Sequence, residues 1–171
     1  MEYLARLQQS YSMHKIGVSD LSDGIDWAMD RLRLDQEGDD LDIVLLAGAA
    51  TTEEALPYVE AIVARYSVQS EIDYHLVAGK YLVELHQRYL AGFECANTLK
   101  EKFDKIYQAL GYPDWMVMLS RNCEYATDIS AFLHPFEQEF KYIAGLWYRA
   151  SSISDFESVY SREVSNRIGF N

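Results

Sequence analysis

Apolar residues recur at three- and four-residue steps along nearly the whole chain, and that period commits it to helices. Leu4, Leu7 and Tyr11 set the period. Ile25, Ala28, Met29 and Leu32 repeat it, with Trp27 on the flank. Ser19-Asp20-Leu21-Ser22-Asp23 offers cap residues just before this group, so a helix is predicted over 22–33. The apolar run 41–49 fits either a strand or a short buried helix by period. Ala47, Gly48, Ala49 and Ala50 are poor strand formers, so helix is preferred. Thr51-Thr52-Glu53-Glu54 has capping-box form and opens a stripe of Ala55, Leu56, Val59, Ile62 and Val63. Pro57 must either kink that helix or sit in the first turn of a second piece starting near Leu56.

The second half reads the same way. A long helix over 72–90 stops at Gly92, and an amphipathic one over 94–110 stops at Gly111 with Pro113 just beyond. Asp114 is placed as the cap of 115–125, and His134-Pro135 as a loop end before the aromatic segment 136–148. Ser154 or Asp155 caps a last helix to about 167 with Phe156, Val159, Tyr160, Val164 and Ile168 as its stripe. Neither Asn-Gly nor Asp-Gly lies between two alternating apolar runs, so no hairpin is indicated. The prediction is an all-α fold: one compact domain over residues 1–171, with seven or eight helices packed as antiparallel pairs. At 171 residues and 49% hydrophobic, the chain can bury a core of its own.

Charge is distributed unevenly. Residues 1–75 hold 15 Asp/Glu against 5 Lys/Arg, whereas residues 76–171 hold 12 against 10. A net charge of −12 disfavours nucleic acid and anionic membrane surfaces, both of which call for Lys and Arg. It favours basic protein partners, whose capture long-range attraction accelerates. The densest acidic stretch is Asp35, Glu37, Asp39, Asp40 and Asp42, with Asp23, Asp26 and Asp30 upstream. These eight are the candidate partner-binding residues. A calcium loop starting at Asp35 would need Gly at its sixth position and Glu at its twelfth, and Asp40 and Leu46 stand there instead.

No catalytic signature is present. His75 and His86 are about 16 Å apart on a straight helix, too far to share a metal. No His-x-x-x-His, Cys-x-x-Cys, phosphate-binding glycine loop or nucleophile elbow occurs. Cys95 and Cys123 read as reduced, buried small hydrophobes, although a helix start at Cys95 would favour its thiolate. No catalytic residue, metal or cofactor is therefore expected. Met1–Arg6 lacks a basic stretch leading into an apolar core, and no apolar run approaches the roughly 18 residues of a membrane span. A cytoplasmic protein is expected.

Asp26-Trp27-Ala28, Ile43-Val44-Leu45-Leu46-Ala47-Gly48 and Glu53-Glu54-Ala55-Leu56 together resemble small bacterial helical immunity proteins, as in contact-dependent growth inhibition. The segment 90–113, with Ala91-Gly92, Glu94-Cys95 and Gly111-Tyr112-Pro113, is similar to the second half of such families. The resemblance covers roughly residues 22–130. It implies a non-enzymatic protein that binds and neutralises a cognate toxin, and it carries no catalytic residues with it. The acidic charge adds that this partner is basic, as a nuclease toxin would be. The alternative expectation is a helical scaffold or adaptor that forms a homodimer through the aromatic segment with Tyr142, Trp147 and Tyr148.

Overall fold

A computed structural model describes residues 2–66 and 72–168, with side chains described for 4–66 and 72–165. The fold is all-α: among the described residues there are nine α-helices, one short 3₁₀ turn and no strand. The contacts divide the chain into two compact units, residues 1–72 and 73–171, where the sequence reading expects one domain. Each unit has its own architecture.

The first unit contains α1 (Glu2–Lys15), α2 (Ser22–Arg33), α3 (Leu41–Ala47) and α4 (Thr52–Tyr66). Helix α1 packs on α2 and α4, and α3 packs between α2 and α4. The apolar stripes found in the sequence meet here. Leu7, Leu21, Trp27, Ala28, Ile43, Leu46, Ala55, Val59, Ile62 and Val63 form one buried cluster. Gly24 brings α1 and α2 close, since a Cβ there would stand 3.2 Å from Leu7 Cδ1. Half of the expected capping box forms at the start of α4, shifted by one residue on the return side: Thr51 Oγ1 accepts from the Glu54 amide at 3.2 Å. The Glu54 carboxylate reaches back to the Ala50 amide at 2.9 Å. Pro57 lies inside a single continuous α4.

The second unit contains α5 (Tyr74–Leu90), α6 (Ala96–Ala109), α7 (Asp114–Asp128), the 3₁₀ turn Ser130–Phe132, α8 (Leu133–Arg149) and α9 (Ile153–Ile168). Gly92 and Gly111 take the left-handed conformation expected of helix stops, with φ of 79° and 72°. His134-Pro135 is not a loop end. It falls in the first turn of α8, where proline's missing N–H costs no helical hydrogen bond. The last helix starts at Ile153, with Ser152 Oγ accepting from the Asp155 amide at 3.1 Å. The side chain of Ile168, assigned to its stripe, lies outside the described residues.

Aromatic packing fixes how these helices pair. Tyr89 meets Phe136, His86 meets Phe140 at 4.9 Å, and Lys80 reaches the end of α8 at Trp147, so α5 and α8 run antiparallel. Helices α6 and α7 form the other hairpin, with Cys123 Sγ against the Ala96 carbonyl at one end and Tyr107 against Tyr112 at the other. The centre is Trp147, fully buried, stacked on Phe156 at 4.0 Å and edge-on to Trp115 at 5.2 Å. Lys80 caps α8 by donating to the carbonyls of Trp147, Tyr148 and Ala150 at 2.8, 3.2 and 2.7 Å. Burial lowers the Lys80 pKa, and these three acceptors hold its ammonium in place.

Gly79 is the residue that lets α5 approach. A Cβ there would lie 2.1 Å from Trp147 Cδ2, and the indole has no room to retreat. Gly79→Ala is therefore expected to destabilise the second unit by about 1–3 kcal/mol, despite alanine's better helix propensity. Urea unfolding followed by tryptophan fluorescence reads this, and an unchanged midpoint would refute the close approach.

Candidate functional site

All eight acidic candidates belong to the first unit. Divided at the boundary between Ile72 and Asp73, the sequence places 14 Asp/Glu and 5 Lys/Arg in that unit, a net −9, and leaves −3 to the second. The five basic residues are all engaged inside the unit. Arg6 and Arg33 pair with Asp30, each at 3.1 Å, and Lys15 pairs with Glu60 at 3.2 Å. Arg65 pairs with Asp40 and Asp42. Arg31 donates to Gln36 at 2.6 Å and lies over the Trp27 ring. The negative excess is thus left to face outward.

The eight residues do not form one surface of equivalent charges. Asp23, Asp26 and Asp30 lie along α2 at helical spacing, the first two exposed and the third tied to Arg6 and Arg33. Asp35 follows α2 in the left-handed region at φ 53°, and Gly38 takes φ 58°. The loop therefore turns sharply twice before α3. Glu37, Asp39, Asp40 and Asp42 come together, lining one open groove with Gln36, Gly38, Leu41, Arg65 and Tyr66.

Within this groove the carboxylates divide by role. Asp40 is buried and serves as the N-cap of α3, accepting from the Asp42 amide at 3.1 Å. Arg65, near the end of α4, forks onto Asp40 at 2.6 Å and onto Asp42. Burial alone would raise the Asp40 pKa. The Arg65 guanidinium, the Tyr66 hydroxyl and the Asp42 amide outweigh it and hold the carboxyl below its ordinary value. The same two carboxylates raise Arg65 further above its already high value. Asp40 is therefore a structural cap rather than an exposed docking charge. Asp35 and Asp39 are exposed and form no ion pair among the described residues, and Glu37 is half-buried.

Three apolar side chains of the run 41–49, which the sequence reading takes as a short buried helix, are exposed instead, and Leu41 among them lines the groove. Leu41 is 66% exposed, and Val44 and Leu45 are each 41% exposed. Seven residues make two helical turns; Ile43 and Leu46 face inward, with Ala47 partly buried beside them.

The second unit holds the candidates of other classes. Trp147 is buried, Tyr142 half-buried and Tyr148 exposed, so the aromatic segment offers one of its three proposed anchors to solvent. His86 is lodged against Phe140, and burial lowers its pKa, with Lys141 adding to the effect. Cys123 is buried, contrary to no expectation, but Cys95 is exposed at the N-cap of α6. Hydrogen bonds from Thr98 lower the Cys95 pKa, whereas burial pushes the Cys123 thiol up to about 12. Next to Cys95 in the chain is a residue to which the sequence reading gave no role. Glu94 is buried, accepting from Lys102 at 2.6 Å, Thr98 at 2.8 Å and Arg88 at 3.2 Å. Among the described residues no group of three or more His, Cys, Asp or Glu is placed to hold a metal ion. No described helix is long and apolar enough to cross a membrane.

No family model, curated protein or solved structure matches this chain.

The Asp40 cap gives a pH-dependent test. Because its folded pKa lies below the ordinary 3.8, its contribution to stability is present above that value and is lost as pH falls through the folded one. Asp40→Asn should lower the protection of the α3 amides against hydrogen exchange by about 1–2 kcal/mol near neutral pH. The gap to wild type should close in acid. An equal gap at both pH values would show that Arg65 does not draw on the Asp40 charge.

Proposed function

We propose that this chain is a non-enzymatic immunity protein that binds and neutralises a basic toxin domain through the acidic surface of its first unit. The observation that carries the reading is the surplus of 14 acidic side chains over five basic ones in that unit, with each of the five held by a partner within it. Its outward field is therefore negative. Such a field attracts a cationic partner at long range and repels phosphate backbones and anionic membranes. A nuclease toxin suits this surface, because a site that binds nucleic acid must present the cations that an acidic inhibitor covers. Asp23, Asp26, Asp35 and Asp39 supply exposed charge, and Glu37 adds to it in the groove, where Asp42 is paired with Arg65. Binding by charge and shape needs no cofactor, and the cytoplasm is where such a protector would meet an incoming toxin. The alternative of an aromatic-mediated homodimer has less to draw on, since Trp147 is committed to the interior.

The test is co-expression with the products of adjacent reading frames, followed by stopped-flow association with whichever of them arrests growth. Wild type should restore growth and associate rapidly at low salt. The variant carrying Asp23→Asn, Asp26→Asn, Asp35→Asn and Asp39→Asn should associate at least about tenfold more slowly and lose most of its salt dependence. Unchanged association by that variant, or neutralisation of a toxin with an acidic binding face, would refute the acidic-surface reading.

A further inference from the structure

Helix α3 carries two apolar faces. Ile43 and Leu46 point into the core of the first unit and are fully buried. Leu41, Val44 and Leu45 lie at i, i+3 and i+4 on the opposite side and remain exposed. Gly48 continues that side without a side chain. The nearest atoms to a Cβ there would be the Leu45 and Val44 carbonyl oxygens of its own helix, at 3.6 and 3.8 Å, so the surface beyond it is open. The exposed stripe is continuous with the acidic groove, because Leu41 itself lines the groove beside Glu37, Asp39 and Asp42. Tyr66, 41% exposed, forms part of the same wall.

An apolar centre beside a rim in which the carboxylates outnumber the one cation, Arg65, itself paired to Asp40 and Asp42, has the anatomy of a protein interface, with its desolvated core and polar rim. The rim decides the occupant. A second copy of this chain would set Asp35, Glu37 and Asp39 against their own kind, and anionic lipid would meet the same repulsion. A partner with cations flanking an apolar ridge satisfies both parts. We propose that the Leu41–Val44–Leu45 face and the adjoining acidic groove together dock a basic amphipathic helix of the partner protein. Its apolar residues would lie on the α3 stripe and its Lys and Arg would reach Asp35, Glu37 and Asp39. This rests on the reading of the chain as a binder of a basic protein and adds where, and to what kind of segment, it binds. A helix is the natural ligand because the i, i+3, i+4 ridge of α3 interdigitates with a matching ridge of another helix.

The experiment uses a fluorescently labelled helical peptide of about 15 residues, Leu on one face and Lys on the other, titrated with the full chain and followed by anisotropy. A Lys/Ser peptide of the same charge and a Leu/Glu peptide are the comparisons. The principal variant is Leu41→Gln, Val44→Gln and Leu45→Gln together, which keeps helix propensity and leaves Ile43 and Leu46 in place. Leu41→Gln alone serves as a milder second variant. The Leu/Lys peptide should bind saturably at one site, and at least about tenfold more tightly than the Lys/Ser peptide. The triple variant should lose at least about tenfold in affinity with its circular dichroism unchanged, and Leu41→Gln a few-fold. Asp35→Asn with Asp39→Asn should weaken binding and flatten its salt dependence.

Equal binding of the Leu/Lys and Lys/Ser peptides would overturn the proposal, as would undiminished binding by both apolar variants. So would a wild-type dimer in sedimentation that the triple variant abolishes, since the stripe would then be covered by a second copy. The two readings fail separately. A toxin neutralised as well by the triple variant as by wild type removes this docking face and leaves the immunity reading standing. Peptide binding that depends on the α3 stripe, in a chain that protects against no adjacent gene product, does the reverse.

Discussion

The Arg65 fork onto Asp40 and Asp42 is the contact on which the arrangement of the first unit turns. A helix of seven residues cannot sustain itself in water, because nucleation costs more than so few hydrogen bonds return. Helix α3 is held by two kinds of tether. Ile43 and Leu46 enter the core, and the Asp40 cap is fixed by a guanidinium from the end of α4. Removing Arg65 would leave the Asp40 carboxylate buried without its cation, an arrangement far less favourable than never having buried the charge. The outward stripe and the groove beside it are aligned only while this clamp holds. Stability and the proposed recognition surface therefore share one ion-pair cluster.

The second unit solves its charge problem differently. It holds 10 basic residues against 13 acidic ones, and four of the basic side chains take structural roles. Arg88 and Lys102 neutralise the buried Glu94, Lys100 pairs with Asp104 at 2.7 Å, and Lys80 closes the end of α8. Burial disfavours the Glu94 carboxylate, yet hydrogen bonds from Lys102 and Thr98 and the nearby charges keep its pKa below the ordinary value. Aromatic stacking around Trp147 then supplies the apolar cohesion. The two units thus differ in charge: the first carries a net −9 and the second a net −3.

Much of the helical fold was legible because its signals are local. The stripe of α4, the Thr51–Glu54 cap, and the stops at Gly92 and Gly111 each depend on residues within a turn or two of one another. What was not legible depends on pairing across the chain. Arg65 is 25 residues from Asp40, and nothing in its neighbourhood marks it as the partner that turns an apparently free acid into a buried cap. Glu94 is buried by Arg88 and Lys102, which approach it from α5 and α6 on either side of a turn, and no local motif marks that convergence. Trp147 suits a core or an interface equally by residue type, and Gly79, 68 positions away, is what admits it to the interior. The run 41–49 suits a short buried helix by composition, but composition reveals how apolar a segment is, not how many of its faces have neighbours. The acidic bias itself survives as a property of one unit, though only some of its members are exposed carriers of it.

The two cysteines make the second unit a reporter of its own opening. Cys95 stands in solvent at a helix N-terminus with its thiol poised toward thiolate. Cys123 lies in the interior against the Ala96 carbonyl with its thiol pushed up to about 12. An alkylating reagent thus meets one fast site and one protected by the fold. The mass of the singly labelled chain counts molecules, and the appearance of the second label counts the times α6 and α7 have parted. The interval between them is a clock for local unfolding that requires no engineered probe and reads in whatever mixture the protein occupies.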